Sequence, residues 1–290
     1  MPPLGAHFSI AGGLVNAAET CRELGCDTFQ LFTKSAAQWA AKPLTPGDVR
    51  DFRAAVKRAG AGSVTAHDSY LINLAAKDDA LFAKSVEAFA VEIERAEALG
   101  IDYLVMHPGA HVGSGEEYGL ARVIHGIDLA HARCPGYAVR VLVEATAGQG
   151  TTLGYRFEHL ATILNGVAAS ERLGVCLDTC HVFAAGYDLR TPETYAATVA
   201  EFDAVVGLER LKVVHVNDSV KPLGSRVDRH AGLGLGHIGE VAFRCLVTDP
   251  RLAEVPMILE TPKEDADGNL MDPVNLAKLR RYLTPQRWQC

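Results

Sequence analysis

The chain has 290 residues, 48% of them hydrophobic, and a formal net charge of −7. That length and apolar content suffice for one large α/β domain or two small ones, without low-complexity tracts that would suggest disorder, and the acidic balance argues against a general nucleic-acid binder but not against a local positive site. No apolar stretch approaches the roughly 18–20 residues of a membrane helix, and the start, MPPLGAHFSIAGG, has no basic segment followed by an apolar run, so a cytoplasmic protein without membrane contact is expected.

In chain order, apolar β-rich runs predict strands at Leu4–Phe8, Thr28–Phe32, Ser63–Ala66, Tyr103–Met106, Val139–Val143, Gly174–Leu177, Leu211–Val216 and Pro256–Leu259. Most are continuous rather than alternating, as strands covered on both faces should be. Helical patterns lie between them. TPGDVRDFRAAVKRAG places Thr45 as N-cap, Pro46 at the first helical position and Gly60 as the stop. DDALFAKSVEAFAVEIERAEALG predicts a long amphipathic helix ending at Gly100. TPETYAATVAEFDAVVG repeats the Thr-Pro opening and Gly closing, and DPVNLAKLRRYL supplies a last helix. Eight runs alternating with helices predict a single (β/α)8 TIM barrel over residues 1–290, with a doubly wound open sheet as the structural alternative. The seven cysteines contain no C-x-x-C pair. Cys21 and Cys26 are expected on one helix, Cys176 in a strand and Cys180 just after it, all as reduced, mostly buried thiols.

The residues at the C-terminal ends of these runs carry the chemistry. SVTA is followed by His67, DYLVM by His107, VRVLV by Glu144, GVCL by Asp178 with His181 beyond, LKVV by His215, and PMIL by Glu260. Asp228 and His230 lie in the loop after the seventh run. In a barrel the C-terminal strand ends share one face, where active sites are built. A lone His at a strand end is more often a hydrogen-bonded structural residue, and a lone Asp or Glu often caps the next helix. Six successive strand ends are hard to explain that way. Five His, two Asp and two Glu converging on one pocket suit two or three borderline-soft divalent ions, with zinc foremost and carboxylates able to bridge. Such ions would also offset the cost of gathering so many polar groups in one buried place. His125, His131 and His159 lie on helical stretches and are expected to be ordinary. His7 and His111 are ambiguous and could support ligands from behind. GLGLGHIG holds G-x-G-x-x-G at Gly234, Gly236 and Gly239, but a polar loop precedes it rather than a strand. It is expected to be a flexible turn that could offer backbone N–H groups to an anion, and not a dinucleotide site.

The segments HDSYLINLA (67–75), MHPGAHVG (106–113), VEATAGQGTTLG (143–154), CLDTCHVFAAGYDL (176–189), HVNDS (215–219), DRHAGLGLGHIG (228–239) and LETP (259–262) resemble endonuclease IV, as do GAHFSIAGG and LFTK…QW near the start. The resemblance covers nearly the whole chain. It implies a (β/α)8 barrel, a monomer, that repairs double-stranded DNA at abasic sites with three zinc ions. It assigns His67, His107 and Glu144 to one ion. It assigns Glu144, Asp178, His215 and Glu260 to a second, and His181, Asp228 and His230 to the third. Mn²⁺ is admitted at one site. The implied reaction hydrolyses the phosphodiester 5′ to the lesion and leaves a 3′-hydroxyl and a 5′-deoxyribose phosphate; blocked 3′ ends are a further implied substrate. Glu260 would orient or deprotonate the nucleophile, and Glu144 would fix the spacing of the ions. Tyr70 and Leu71 match positions that insert into DNA, where loop packing is the simpler explanation of both. The family often carries an inserting Arg before QW, where this chain has Ala36 and Ala37. Lys34 or Lys42 could compensate in part, and Lys221, Arg226, Arg229 and Lys263 could contact phosphates. The competing expectation is a metal-dependent sugar isomerase on the same fold, against which the paired DTCH and DRH segments weigh.

Overall fold

The computed structural model describes residues 1–284; residues 285–290 of the expected domain lie outside that range. Eight parallel strands form the frame: β1 (Leu4–His7), β2 (Thr28–Phe32), β3 (Ser63–His67), β4 (Tyr103–Met106), β5 (Arg140–Ala145), β6 (Leu173–Asp178), β7 (Leu211–His215) and β10 (Met257–Leu259). They close into a barrel in the order β1-β10-β7-β6-β5-β4-β3-β2. β1 pairs with both β2 and β10, so the sheet has no edge and the open-sheet alternative falls away. A short antiparallel hairpin, β8 (Asp218–Ser219) with β9 (His230–Ala231), was not legible as strands and stands in the loop after β7.

The outer layer is α1 (Leu14–Glu23), α2 (Pro46–Ala59), α3 (Asp79–Leu99), α4 (Glu116–Arg133), α5 (Phe157–Gly166), α6 (Thr179–Ala185), α7 (Pro192–Val205), α8 (Glu240–Thr248) and α9 (Asp272–Leu283). The cap chemistry follows the sequence. Thr45 and Thr191 each close a capping box ahead of a Pro, and Gly60 and Gly100 end α2 and α3 in left-handed conformations at φ 69° and 73°. Cys26 departs from expectation: α1 stops at Glu23, so Cys26 lies in the turn before β2 while Cys21 stays on the helix. Among the described residues, no helix is long and apolar enough to cross a membrane.

Two cores hold the molecule together. Phe52, Phe89, Phe157, Phe202 and Phe243 are fully buried between helices and sheet, each worth about 1.5–3 kcal/mol. Inside the barrel, Val105, Leu142, Cys176, Val213 and Ile258 form a separate solvent-free cluster. Because strand side chains alternate with period two, the residues two positions further on share the inner face. Those residues are His107, Glu144, Asp178, His215 and Glu260. The apolar plug therefore floors the polar ring directly above it. Closure of this narrow barrel also requires Gly5, where an added Cβ would stand 1.9 Å from the Thr28 carbonyl oxygen.

His131, on α4, is 5% exposed with neither ring nitrogen hydrogen-bonded. Burial first, and then the Arg172 guanidinium, lower its pKa from 6.5 to about 4. The unfolded chain thus takes up this proton more readily than the native state. Stability from the site is complete above the ordinary histidine value and is lost as pH falls toward 4. His131→Leu is expected to flatten the pH dependence of urea denaturation between pH 6.5 and 4; an unchanged slope would refute the assignment.

Candidate metal centre

β3 to β7 and β10 end on one rim, and the six residues singled out at their C-terminal ends meet there. Glu144 is solvent-free. Its carboxylate lies 3.2 Å from His67 Nε2, 3.1 Å from His107 Nε2, 3.2 Å from His181 Nδ1 and 3.1 Å from His215 Nδ1. Asp178 ends the sixth strand as the N-cap of α6, accepting from the His181 backbone N–H at 2.9 Å. That explains its place at the strand end, and its second oxygen still faces His230 Nε2 at 3.6 Å and His215 Nδ1 at 4.0 Å. Asp228 stands 3.1 Å from His181 Nε2 and 3.3 Å from His230 Nε2. Glu260 lies 3.2 Å from His215 Nδ1.

The donors group as a multinuclear site would need them. His67, His107 and Glu144 come within ligating range of one another, as do Glu144, Asp178, His215 and Glu260, and Asp178, His181 and His230. Glu144 belongs to the first two sets and Asp178 to the last two. The third set gains Asp178 beyond the expected trio, while Asp228 remains in contact with both of its histidines.

The imidazoles are oriented as ligands. His67, His181 and His230 have Nδ1 against the backbone carbonyls of Asp68, Ala145 and Glu260, at 2.9, 3.0 and 3.2 Å. Each therefore donates Nδ1–H and turns the Nε2 lone pair to the centre, the arrangement typical of metal-bound histidine. The Nε2 atoms of His181 and His230 are buried without a geometrically satisfied hydrogen bond, and the oxygens facing them belong to the Asp178 and Asp228 carboxylates. Lone pairs of nitrogen and oxygen converging at about 3 Å fit divalent cations. The field points the same way. Burial acts to raise the Glu144 carboxyl, yet the His215 and His107 rings hold it well below its usual value. Burial acts to lower the His215 and His181 rings, yet Cys176 and then the Glu260 and Glu144 carboxylates hold His215 well above its ordinary value, and Asp178, Asp228 and Glu144 hold His181 well above its own. Burial pushes the thiols of Cys176 and Cys180 up to about 12, and each also lies within ligating range of the ring, Cys176 beside Glu144 and His215 and Cys180 beside Asp228 and His230.

Three supporting residues were not singled out as site residues in the sequence, although Asn217 and Gln149 lie within the HVNDS and VEATAGQGTTLG segments. Asn217 is solvent-free and donates to Asp178 Oδ2 at 2.6 Å, while its Oδ1 accepts the Glu260 backbone N–H at 2.9 Å. Gln149 Oε1 accepts the Asp228 backbone N–H at 3.0 Å. Gln30, from β2, touches His7, His215 and Glu260. Of the ambiguous histidines, His7 lies 3.2 Å from Glu260, whereas His111 Nδ1 accepts the Gly115 N–H at the start of α4.

The GLGLGHIG segment is neither flexible nor open to an external anion. The solvent-free Asp218 carboxylate accepts backbone N–H bonds from Ser219, Gly234, Gly236, Ile238 and Gly239 at 2.7–3.4 Å. The anion is thus internal, and it ties the loop to the β8–β9 hairpin that carries His230. Gly236 is obligatory, since a Cβ there would lie 2.5 Å from Asp218 Oδ1.

Around the centre, His107, Asp228 and Thr152 stand between two clefts. One, of about 330 Å³, is also lined by Gln149, His181 and Arg229. The other, of about 350 Å³, is lined by His67, Tyr70 and Asn73. Tyr70 is 70% exposed, with its ring edge-on to Phe32 at 5.4 Å, and Leu71 beside it is half-buried. Arg229 and Lys221 are exposed. Arg226 lies over the Tyr155 ring at 4.3 Å and Lys263 pairs with Asp272 at 2.9 Å. Lys34 departs from expectation. It is buried, with Nζ 3.1 Å from Glu92 and donating to the Gln38 carbonyl at 2.7 Å. Desolvation of the α3 carboxylate selects this partner, and the lysine fastens the β2–α2 loop rather than meeting a phosphate.

A barrel with polar ligating groups gathered at its C-terminal strand ends defines a metal-dependent enzyme of the xylose isomerase-like TIM barrel class, and the family model of that description matches residues 18–284. A curated relative from Chloroflexus aurantiacus, "Probable endonuclease 4", is 54% identical over 280 residues, 97% of this chain and 98% of that protein. The crystal structure of endonuclease IV from Thermus thermophilus superposes with a TM-score of 0.86 at 41% identity, over 97% of this chain and 99% of that one. A D-tagatose 3-epimerase-like protein, 19% identical with a TM-score of 0.72 over 97% of both chains, shares the fold alone. The chain belongs to the endonuclease IV family.

The Asp218 latch can be tested directly. Asp218→Ala removes the acceptor of five backbone N–H groups, two in buried and three in half-buried hydrogen bonds, each worth about 1–3 kcal/mol if wholly unsatisfied. A loss of at least ~3 kcal/mol in urea denaturation is expected, with hydrogen exchange accelerating first at the Gly234–Gly239 amides. Unchanged exchange there would exclude the latch.

Proposed function

We propose that this chain is a DNA-repair phosphodiesterase, acting as a monomeric cytoplasmic domain over residues 1–290. It hydrolyses the phosphodiester 5′ to an abasic site in duplex DNA and leaves a 3′-hydroxyl and a 5′-deoxyribose phosphate. The observation that carries the reading is the buried Glu144 carboxylate with imidazole nitrogens of four histidines within 3.2 Å, shared between two ligand sets in a chain of this family. The proposed ligands are His67, His107 and Glu144 for one zinc ion, Glu144, Asp178, His215 and Glu260 for a second, and His181, Asp228 and His230 for a third. When bound, such ions lower the pKa of water and neutralise charge on phosphate oxygens.

The chain's own residues do the rest. Burial acts to raise the Glu260 carboxyl, but the His215 ring holds it well below the ordinary value. It therefore stays ionised at neutral pH and orients the attacking water through a hydrogen bond, accepting its proton as the new P–O bond forms and the bond from phosphorus to the 3′ oxygen breaks, that oxygen taking a proton from solvent to become the 3′-hydroxyl. Tyr70, exposed beside the cleft and braced against Phe32, fills the gap left by a missing base. Wedging into a step whose stacking is already lost costs less than into intact duplex, which selects abasic sites without reading sequence. Exposed Arg229, lining the same cleft as His107 and His181, meets the phosphate backbone.

A duplex carrying one tetrahydrofuran abasic analogue tests the reading, since the analogue lacks the aldehyde that a lyase requires. Cleavage on its 5′ side with a 3′-hydroxyl product is expected. A chelator should abolish it and zinc should restore it. Glu260→Gln is expected to lower the rate about 10²- to 10⁴-fold. Absence of cleavage by folded, zinc-loaded protein would overturn the proposal.

A further inference from the structure

We infer that Gln30 is a positioning residue of the metal centre: its side-chain amide dictates that His215 ligates through Nδ1 and holds the Glu260 carboxylate beside that nitrogen. This rests on the proposed metal centre and concerns a residue that none of the strand-end motifs contains. Gln30 sits in the middle of β2 and is solvent-free. Its Oε1 lies 2.8 Å from His215 Nε2, and its Nε2 lies 2.5 Å from Glu260 Oε1 and 2.9 Å from His7 Nδ1.

Only one assignment of hydrogens satisfies all three contacts. An amide nitrogen has two donors and an amide oxygen has none. With Nε2 toward Glu260, one N–H goes to the carboxylate and the other to the His7 Nδ1 lone pair. Oε1 is then left to accept from His215 Nε2–H. Flipping the amide would set its oxygen 2.5 Å from a carboxylate oxygen, acceptor against acceptor. His7 therefore accepts rather than donates at Nδ1, and its 3.2 Å approach to Glu260 is a contact held together by the shared amide.

The consequence falls on His215. Its Nε2 carries the proton, so its Nδ1 lone pair faces Glu144 at 3.1 Å and Glu260 at 3.2 Å. This is the reverse of His67, His181 and His230, whose Nδ1 atoms face backbone carbonyls. No carbonyl performs that service for His215; a side chain from another barrel strand does. Without the amide, the His215 Nε2–H would be buried with no acceptor, the ring would lose the tautomer that presents Nδ1, and Glu260 would lose a donor. Partners of this kind typically change metal affinity 10- to 100-fold when removed.

The test uses full-length protein and zinc titrated against a competing chelator, with Co²⁺ absorption as a second signal and no DNA present. Gln30→Met, similar in length but without nitrogen or oxygen, is expected to weaken the tightest metal step affected 10- to 100-fold and to change the Co²⁺ spectrum. Leu31→Ala, a buried neighbour on the opposite face of the same strand, serves as the control. It should lower thermal stability of the apoprotein while leaving affinity and spectrum unchanged, which separates ligand positioning from general loosening. Should Gln30→Met fail to fold, Gln30→Glu is read in the same assay. It keeps an acceptor for His215 but loses the donors, and a loss of tenfold or more is expected. Wild-type affinity and spectrum in either variant would overturn the role of Gln30 while leaving the metal centre intact. Failure of the wild-type protein to bind metal would overturn both.

Discussion

The buried Glu144 carboxylate and the four imidazoles around it set the terms for the rest of the site. Taking an ionised carboxylate out of water costs several kcal/mol unless positive charge comes with it. Here the rings close at hand include Nε2 atoms whose proton is committed elsewhere, so they present lone pairs to an anion. Such a cluster calls for cations. Protons can supply them, which is why the His181 and His215 rings are held well above their ordinary pKa and Glu144 well below its own. Metal ions supply them with fixed geometry and in competition with those protons.

Holding such a cluster open requires rigid supports, and these come from below, behind and above. Below lies the apolar plug, two residues back along each strand from His107, Glu144, Asp178, His215 and Glu260. Behind lie the amides of Gln30 and Asn217, each joining two of the proposed ligands. Above, Asp218 gathers five backbone N–H groups and anchors the hairpin that delivers His230. The ligands on strands are placed by barrel register. Those in the loop after β7 need a latch of their own, and the glycines there let the backbone approach the carboxylate that closes it.

The same division, between register and latch, separates the legible features of the sequence from the hidden ones. The eight barrel strands and their polar termini were legible because a strand buried on both faces reads as an apolar run, and a His, Asp or Glu immediately after it stands out. Capping boxes at Thr45 and Thr191 were legible because they are local. Gln30 was not, although a signal is present: one amide in the middle of the TFQLF run, two residues beyond inward-facing Thr28. Its partners lie 23, 185 and 230 positions away, so no local rule names them. Asp218 is hidden by the glycines it binds, which resemble an anion-binding turn because they do bind an anion, one supplied by the chain. Lys34 is obscured for the same reason. A loop lysine reads as exposed unless Glu92, on a helix 58 positions downstream, is known to lie against it.

The buried Lys34 also changes how the mouth of the site must work. Ala36 and Ala37 carry no charge and Lys34 is committed to Glu92, so from Thr33 to Gln38 the β2–α2 loop offers no free cation. The Ser69 hydroxyl donates to the Ala36 carbonyl and fastens that loop to the segment bearing Tyr70. On this side of the centre the exposed Tyr70 ring stands beside a loop whose one exposed lysine, Lys42, lies further along toward α2. Exposed Arg229 and Lys221 lie on the other side. An epimerase-like barrel has the same frame, and a small sugar would need an enclosed pocket at the strand ends. Two clefts meeting at His107, with an exposed ring on one flank and a guanidinium on the other, instead match a partner that is long, anionic and stacked. The frame places the ligating groups. The asymmetry of the loops around them decides what can be laid across.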